Sequence, residues 1–387
     1  MTPTRSSETA GLPASTIEPE NTQTPVPPVI WDAEHGIFVV SGFDEANAVL
    51  RGTGWSSEPS RSPLAPPEMA AAGSGTMLFR DPPDHTRLRR LVAPAFSARA
   101  VESLRPRVAA IVESCLDGLA EGSGDDEVDL LTEYAYLIPL AVIAELLDVG
   151  VEGAEVFLEQ TPRLVKLLEV DPSPDDVTDA VAAGLEVTMF LTPVLSSRRG
   201  GQGDDFISAL LATELTLDEV LSTVVLLLAA GHETTANLIG SGALALLQQP
   251  EQRPALFADP ARAVEELVRV HGPVKLIGRT ALTGHELGGF RIAAGQAVVL
   301  RLDAAGRDPR RWDHAGALDL SRTGPAHLGF GTGIHFCLGA ALARLEAAEA
   351  LVGLFQRYPF MSLAGPAPRW RRSSTFHGLE SLDVRLR

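Results

Sequence analysis

The residues His327-Leu-Gly329-Phe330-Gly331-Thr-Gly333-Ile-His335-Phe-Cys337-Leu-Gly339 run straight into Ala340–Ala348, a stretch of strong helix formers. Glycines at 329, 331 and 333 let the backbone turn without Cβ clashes and lie flat against a large neighbour. The loop then ends in a cysteine at the start of a helix. Free N–H groups and the positive end of the helix dipole favour an anion there, so Cys337 is expected to lean toward thiolate, the form that binds metals. A thiolate facing a flat glycine loop suits an axial ligand of haem iron. The plainer alternative is an inert buried cysteine after a turn.

Composition narrows the class around that loop. With 387 residues, 45% hydrophobic and 21% charged, the chain can bury a core in one large domain or in several small ones. Its many Ala, Leu, Val and Glu residues favour a mainly helical fold. A formal charge of -18 repels the phosphates of nucleic acid. Only Cys115 and Cys337 are present, too few for a disulfide framework, and a reactive thiolate suits a reducing, cytoplasmic setting. The apolar runs Val224–Ala230 and Leu137–Leu147 are too short for a membrane span, and the N-terminus has no signal pattern, so no membrane partner is expected.

In chain order, residues 1–28 are rich in Thr, Ser, Pro and Glu and are expected to form a disordered arm. Val29–Trp31 and Ile37–Val40 read as two strands, Asp44–Leu50 as a short helix, and residues 52–76 as a long loop. Asp81-Pro-Pro-Asp-His85-Thr-Arg87-Leu-Arg89-Arg90 opens a helix with Asp84 as its cap. His85 and Arg89 lie four apart, so they share a face that can meet an anion. Amphipathic helices are expected over 100–120, 130–147, 151–168 and 174–196, and residues 197–203 read as a flexible connector.

Thr216-Leu-Asp-Glu219 is a capping box, from which a helix can run to Pro250, about 48 Å at 1.5 Å per residue. Val224–Ala230 is apolar on every side and is expected to be buried throughout. Inside lies Ala230-Gly231-His232-Glu233-Thr234-Thr235, a poor set for a buried helix interior. Gly231 leaves room for a flat group, and Thr234 can bond back to the preceding turn, opening space for water or ligand. A satisfied polar patch is the alternative. Glu266 and Arg269 lie three apart and can pair. Residues 274–301 hold strand and hairpin material, and residues 373–384 read as a turn between two short strands.

Phe330, Gly331, Gly333, His335, Cys337 and Gly339 spell F-G-x-G-x-H-x-C-x-G, which resembles the haem-ligand signature of the cytochrome P450 family, the haem-thiolate monooxygenases. The resemblance spans 29–387 and implies a single haem domain, mainly α with small β-sheets at one side. It implies haem b, iron protoporphyrin IX, with Cys337 on the metal and Phe330, Gly331, Gly339 and Gly231 at the cofactor. His85, Arg89, Arg279 and His335 are the implied propionate partners. The string around Gly231 resembles the family's A/G-G-x-E/D-T-T, which implies that Thr234 hydrogen-bonds dioxygen while Glu233 relays protons to it. Glu266, Arg269 and Arg322 match a structural E-x-x-R pair completed by a later arginine. The resemblance places a substrate-covering loop in 52–76, a mobile roof in 100–200, and substrate contacts at Phe376 and His377. Lys275 is less usual in its segment and could fix a substrate oxygen; the alternative is an ammonium that snorkels to water.

The implied reaction inserts one atom of dioxygen into a small organic substrate, an apolar natural-product intermediate that is free or tethered to a carrier protein. No G-x-G-x-x-G unit opens a strand–helix pair, so electrons are expected from a ferredoxin and its reductase. Arg87, Arg90 and Arg344 are the expected docking patch. Two other readings stay open: oxidative coupling without net oxygen insertion, and a non-catalytic haem sensor or electron carrier.

Overall fold

The computed structural model describes residues 27–387 apart from 67, 70–74, 123–126, 199–202, 204 and 366. The N-terminal arm and most of the 197–203 connector therefore lie outside the described residues. Strands β1 (Val29–Asp32) and β2 (Ile37–Val40) form a hairpin, followed by α1 (Phe43–Arg51) and the short β3 (Trp55–Ser56). Then come α2 (Asp84–Val92), α3 (Ala98–Gly122), β4 (Glu127–Asp129), α4 (Leu137–Leu147), α5 (Gly150–Leu164) and α6 (Pro174–Ser197). After these run α7 (Phe206–Leu211), α8 (Leu217–Gln248), α9 (Arg253–Ala258) and α10 (Pro260–His271). Strands β5 (Leu276–Ala281), β6 (His285–Leu287), β7 (Phe290–Ile292) and β8 (Ala297–Arg301) lead to α11 (Leu302–Ala305). The chain ends with α12 (Ala340–Arg357), β9 (Ser362–Leu363) and β10 (Asp383–Arg385).

The fold is mainly α with small sheets, as the composition and the resemblance led us to expect. The principal sheet has the order β1-β2-β8-β5-β3, antiparallel except for the parallel pair β2·β8. Its apolar face builds a core of its own around Phe38, Val40, Phe43, Val298 and Leu300. The larger core is helical, with α12 packed against α3, α8 and α10, and α8 packed against α4.

Helix α8 is the 32-residue helix read from the sequence, and both halves of its capping box form: Thr216 accepts the Glu219 N–H, and Glu219 accepts the Thr216 N–H at 2.9 Å. Its run Val224–Ala230 is not buried throughout. Leu226, Leu227 and Ala230 face a cavity, because the helix crosses that cavity rather than solid core.

Several other expectations shift. Asp84 is the first helical residue of α2 and makes no side-chain cap; Pro83 stands at the cap position. Residues Leu131–Ala135 form a widened turn before α4, where a straight helix from 130 was expected. The short helices α7 and α9 were not foreseen. Helix α6 is long and apolar enough to cross a membrane by length and composition, which the reading of 174–196 as merely amphipathic missed. Here it packs against α5 and α8.

A buried ion pair fixes the approach to the cysteine loop. Arg269 Nε and Nη2 donate to the two oxygens of Glu266 at 2.7 Å each, and Arg322 Nε donates to Glu266 Oε1 at 2.9 Å. The Arg269 guanidinium also caps the carbonyls of Gly306 (2.7 Å), Ala315 (2.6 Å) and Ala317 (3.0 Å). Three residues on two segments thus clamp the irregular chain 306–322, satisfying backbone groups that no helix or strand pairs. The structural reading of Glu266, Arg269 and Arg322 fits this geometry.

Candidate active site

The loop 327–339 folds as a tight cradle. Gly331 N–H donates to Leu328 O at 2.7 Å and Cys337 N–H to Phe330 O at 2.9 Å. Gly331 and Gly333 adopt φ of 66° and 73°, and a Cβ on Gly333 would fall 2.2 Å from Leu50 O. Packing on α1, as well as turn geometry, therefore demands that glycine. A second tie comes from Glu265 on α10, which accepts His327 Nε2 at 3.2 Å and pairs with Arg344 on α12. Burial opposes that carboxylate, but its two partners hold it down at about 2. The Arg344 guanidinium in turn lies 4.3 Å from the Phe330 ring centroid. Glu265 was missed in the sequence, where its neighbour Glu266 absorbed the pattern.

Cys337 has exposed surface, yet it lies among the walls of a cavity of about 390 Å³. Helix α12 starts at Ala340, three residues beyond the sulfur. Burial pushes the free thiol up, against the opposing pull of the Gly339 N–H and of Arg344 and Arg89. A bound cation at the sulfur would add to the pull of the helix start toward thiolate.

The cavity wall gathers residues far apart in sequence: His85 and Arg89 from α2, Gly231 and Thr234 from α8, Arg279 from β5, and Phe330, Gly331, His335, Cys337 and Gly339 from the loop. His85 is 2% exposed, neither ring nitrogen has a partner, and its ring centroid lies 4.2 Å from that of His335. His335 Nε2 is 3.1 Å from Ser57 Oγ, a contact with no sequence signal. Arg89 donates to Phe336 O at 2.5 Å and Arg279 to Gly278 O at 2.7 Å. Burial, then the neighbouring cations, push His335 down to about 3; burial takes Arg279 to about 10. Among the described residues none of these four makes an ion pair. A buried His85 with both ring nitrogens unpartnered, together with the half-buried Arg89, Arg279 and His335, calls for an anion. Haem fits this donor set: Cys337 for the metal, the four basic groups for the two propionates, and for the ring open space at the Cβ position of Gly339 and only His335 O, 3.9 Å away, at that of Gly331.

Helix α8 supplies the polar pair. Thr234 Oγ1 donates to Ala230 O at 2.6 Å, the back-bond expected from the sequence, and the residue lines the cavity. Glu233 does not. It is 3% exposed and turned away, with Oε1 at 2.7 Å from Arg371 Nη2 and 3.1 Å from Asn237 Nδ2. Burial pushes its carboxyl up while Asn237 opposes that shift, and the nearby guanidinium favours the ionised form. His232 is a core histidine, Nε2 at 3.0 Å from Tyr136 O and Nδ1 without a partner, pushed down to about 4 by burial.

Two expected substrate contacts do not reach the cavity. Lys275 Nζ donates to Ser373 O at 2.6 Å, so its ammonium ties down the C-terminal turn instead of facing a ligand. The His377 ring stacks on Trp370 with centroids 3.8 Å apart, and burial pushes it down to about 3. Phe376 does line the wall. Of the expected docking patch, Arg87 is paired with Glu219 and Arg344 with Glu265, which leaves Arg90 as its exposed member. The cavity also holds a carboxyl that the sequence did not flag. Glu346 on α12 is buried, its Oε2 has no partner, and burial lifts it to about 8.

Residues 261–372 match the family model described as Cytochrome P450. The chain is 39% identical over 363 residues to cytochrome P450 monooxygenase PikC of Streptomyces venezuelae, covering 91% of this chain and 85% of that protein. It is 35% identical to 6-deoxyerythronolide B hydroxylase of Saccharopolyspora erythraea, covering 94% and 93%. Among solved structures, P450BioI in complex with a fatty-acyl-ligated acyl carrier protein matches with a TM-score of 0.86 at 32% identity, over 92% of this chain and 95% of that one.

Proposed function

This chain belongs to the cytochrome P450 family and is a P450 monooxygenase, and from that premise we propose that it uses haem b to insert one oxygen atom into an apolar natural-product intermediate. The single observation that carries the reading is one cavity lined by Cys337, Thr234 and four basic groups without ion pairs. One haem domain over 29–387 accounts for this, since the wall draws on α2, α8, β5 and the cysteine loop together.

When bound, the haem supplies the redox chemistry that activates dioxygen. The chain's own residues do the rest. Cys337 would hold the iron, Arg89 and Arg279 would neutralise the propionates, His85 and His335 would donate hydrogen bonds to them, and Gly331 and Gly339 would leave room for the ring. Thr234 offers a hydroxyl to the cavity, and Glu233, next in sequence, is the carboxyl from which a proton can follow. Met77, Phe79, Ile143, Leu226, Val274 and Phe376 make an apolar wall that excludes water and favours an apolar guest. The proposed electron donors are a ferredoxin and its reductase, the proposed compartment is the cytoplasm, and the substrate is free or carried by an acyl carrier protein. A relative named 6-deoxyerythronolide B hydroxylase and a solved neighbour in complex with a fatty-acid-ligated acyl carrier protein support that substrate class.

The test is a carbon monoxide spectrum of the reduced protein, followed by turnover with ferredoxin, reductase and labelled dioxygen against macrolactones and acyl-carrier-bound acids. A far-red Soret band that Cys337→Ser abolishes, and one labelled oxygen in the product, are expected. Coupled products without label would replace insertion by oxidative coupling, and the absence of any turnover would favour a sensor.

A further inference from the structure

The turn 371–379 touches three parts of the site at once. Thr375 and Phe376 form part of the cavity wall. On one side Glu169, also in the wall, accepts hydrogen bonds from Ser373 Oγ, Ser374 Oγ (3.1 Å) and Thr375 N (3.0 Å), and Val170 N donates to Thr375 Oγ1 at 2.8 Å. On the other side Arg371 reaches α8. Its N–H donates to Gly378 O at 2.8 Å and its Nε to Leu379 O at 3.0 Å, so the turn itself aims the guanidinium. Nη2 then meets Glu233 Oε1 at 2.7 Å and Asn237 Oδ1 at 3.0 Å.

The turn is stiff and closely seated. The bridges Val274↔Phe376 and Trp370↔Leu379 brace it, and a Cβ on Gly378 would fall 2.3 Å from Asn237 Oδ1. A displacement at Phe376 therefore has little slack before it reaches Arg371. The carboxylate next to Thr234 is thus held out of the cavity by Arg371, a residue of the same turn that supplies Thr375 and Phe376 to the cavity's wall.

We propose that Arg371 is a positioning residue for Glu233: it parks the carboxylate outside the cavity, and a guest pressing on Phe376 shifts the turn and frees Glu233 toward Thr234. The idea rests on the reading of Glu233 as proton source. One motion then serves two ends. It reorients the group, and it takes the guanidinium away from a buried carboxylate, which then takes up a proton from solvent and can pass that proton on toward Thr234 as a carboxylic acid.

The experiment is infrared difference spectroscopy of the carboxyl region on the holoenzyme, with clotrimazole as the cavity-filling probe, in wild type, Glu233→Gln, Arg371→Gln and Arg371→Lys. In wild type the probe should convert a carboxylate signal to a carboxylic-acid signal that Glu233→Gln lacks. Arg371→Gln should show the acid signal without probe, and Arg371→Lys should restore the dependence. A Glu233 band in wild type that ignores the probe, or an Arg371→Gln spectrum identical to wild type, overturns the proposal. Should Arg371→Gln not fold, Glu169→Gln loosens the same turn from its other side and should at least double the acid signal without probe; an unchanged signal there also overturns it. Wild-type turnover by Glu233→Gln would sink the proton-source reading alone, while the spectra still decide whether Arg371 parks the carboxylate.

Discussion

Glu233 and Thr234 are adjacent on α8 yet face different surroundings: Thr234 lines the cavity with its hydroxyl on Ala230 O, whereas Glu233 lies 2.7 Å from Arg371 outside it. Successive positions on a helix are about 100° apart, so one residue of the pair can face a guest while the other meets the neighbouring segment. The pair is joined in function only if the carboxyl moves or water bridges it to the hydroxyl.

Removing either partner should therefore act on the chemical step more than on binding. Glu233→Gln and Thr234→Ala are each expected to lower kcat by roughly 10²-fold or more, the usual scale for a positioned proton donor. KM should change little, and reducing equivalents should escape as hydrogen peroxide. Parallel measurement of cofactor consumption, product and peroxide checks this.

Arg269→Ala should be far more damaging than its distance from the cavity suggests. The side chains of Arg269 and Glu266 are 2% and 4% exposed, and the substitution would leave the buried carboxylate to Arg322 and the Asp319 N–H while removing a charged donor from three carbonyls. A loss of about 3–5 kcal/mol is expected from breaking one side of such a pair. Denaturant unfolding, with haem content as a second readout, would measure it.

Glu346 should impose a pH dependence on stability. Its folded pKa, about 8, lies above the ordinary 4.5, so the folded state holds the proton more tightly. Its contribution is fully present below the unfolded value and is lost as pH rises through about 8. Glu346→Gln should flatten that decline between pH 5 and 8, on the order of one titrating group. His232, held down at about 4 against 6.5, should act with the opposite sign, its contribution being present above 6.5 and lost as pH falls toward 4. Unfolding free energies across this range in wild type and in Glu346→Gln separate the limbs.

Lys275→Met should leave ligand affinity within about twofold of wild type, since its ammonium binds Ser373 O rather than the cavity. It should cost about 1 kcal/mol of stability for the lost hydrogen bond. Azole titrations and melting curves check the two halves.

What could be read from the chain was local. The F-G-x-G-x-H-x-C-x-G string marks its own loop, the capping box at Thr216 marks the start of α8, and Glu266 and Arg269 meet because three residues of helix put them on one face. Thr234's back-bond to Ala230 belongs to the same class, being decided within one helical turn.

What needed the tertiary structure was every relationship between segments. The meeting of Cys337 with His85, Thr234 and Arg279 in one cavity wall draws on three other elements, and no local pattern reports it. Lys275 and His377 are spent on Ser373 and Trp370, and Glu233 on Arg371, because the C-terminal turn folds back over β5 and α8. Sequence determined which groups sit at the start of a helix or share one of its faces, since those distances follow from fixed backbone geometry. The direction in which each group points, and the partner that claims it, were decided by packing between residues as much as 278 positions apart, where burial and competing partners set the energy.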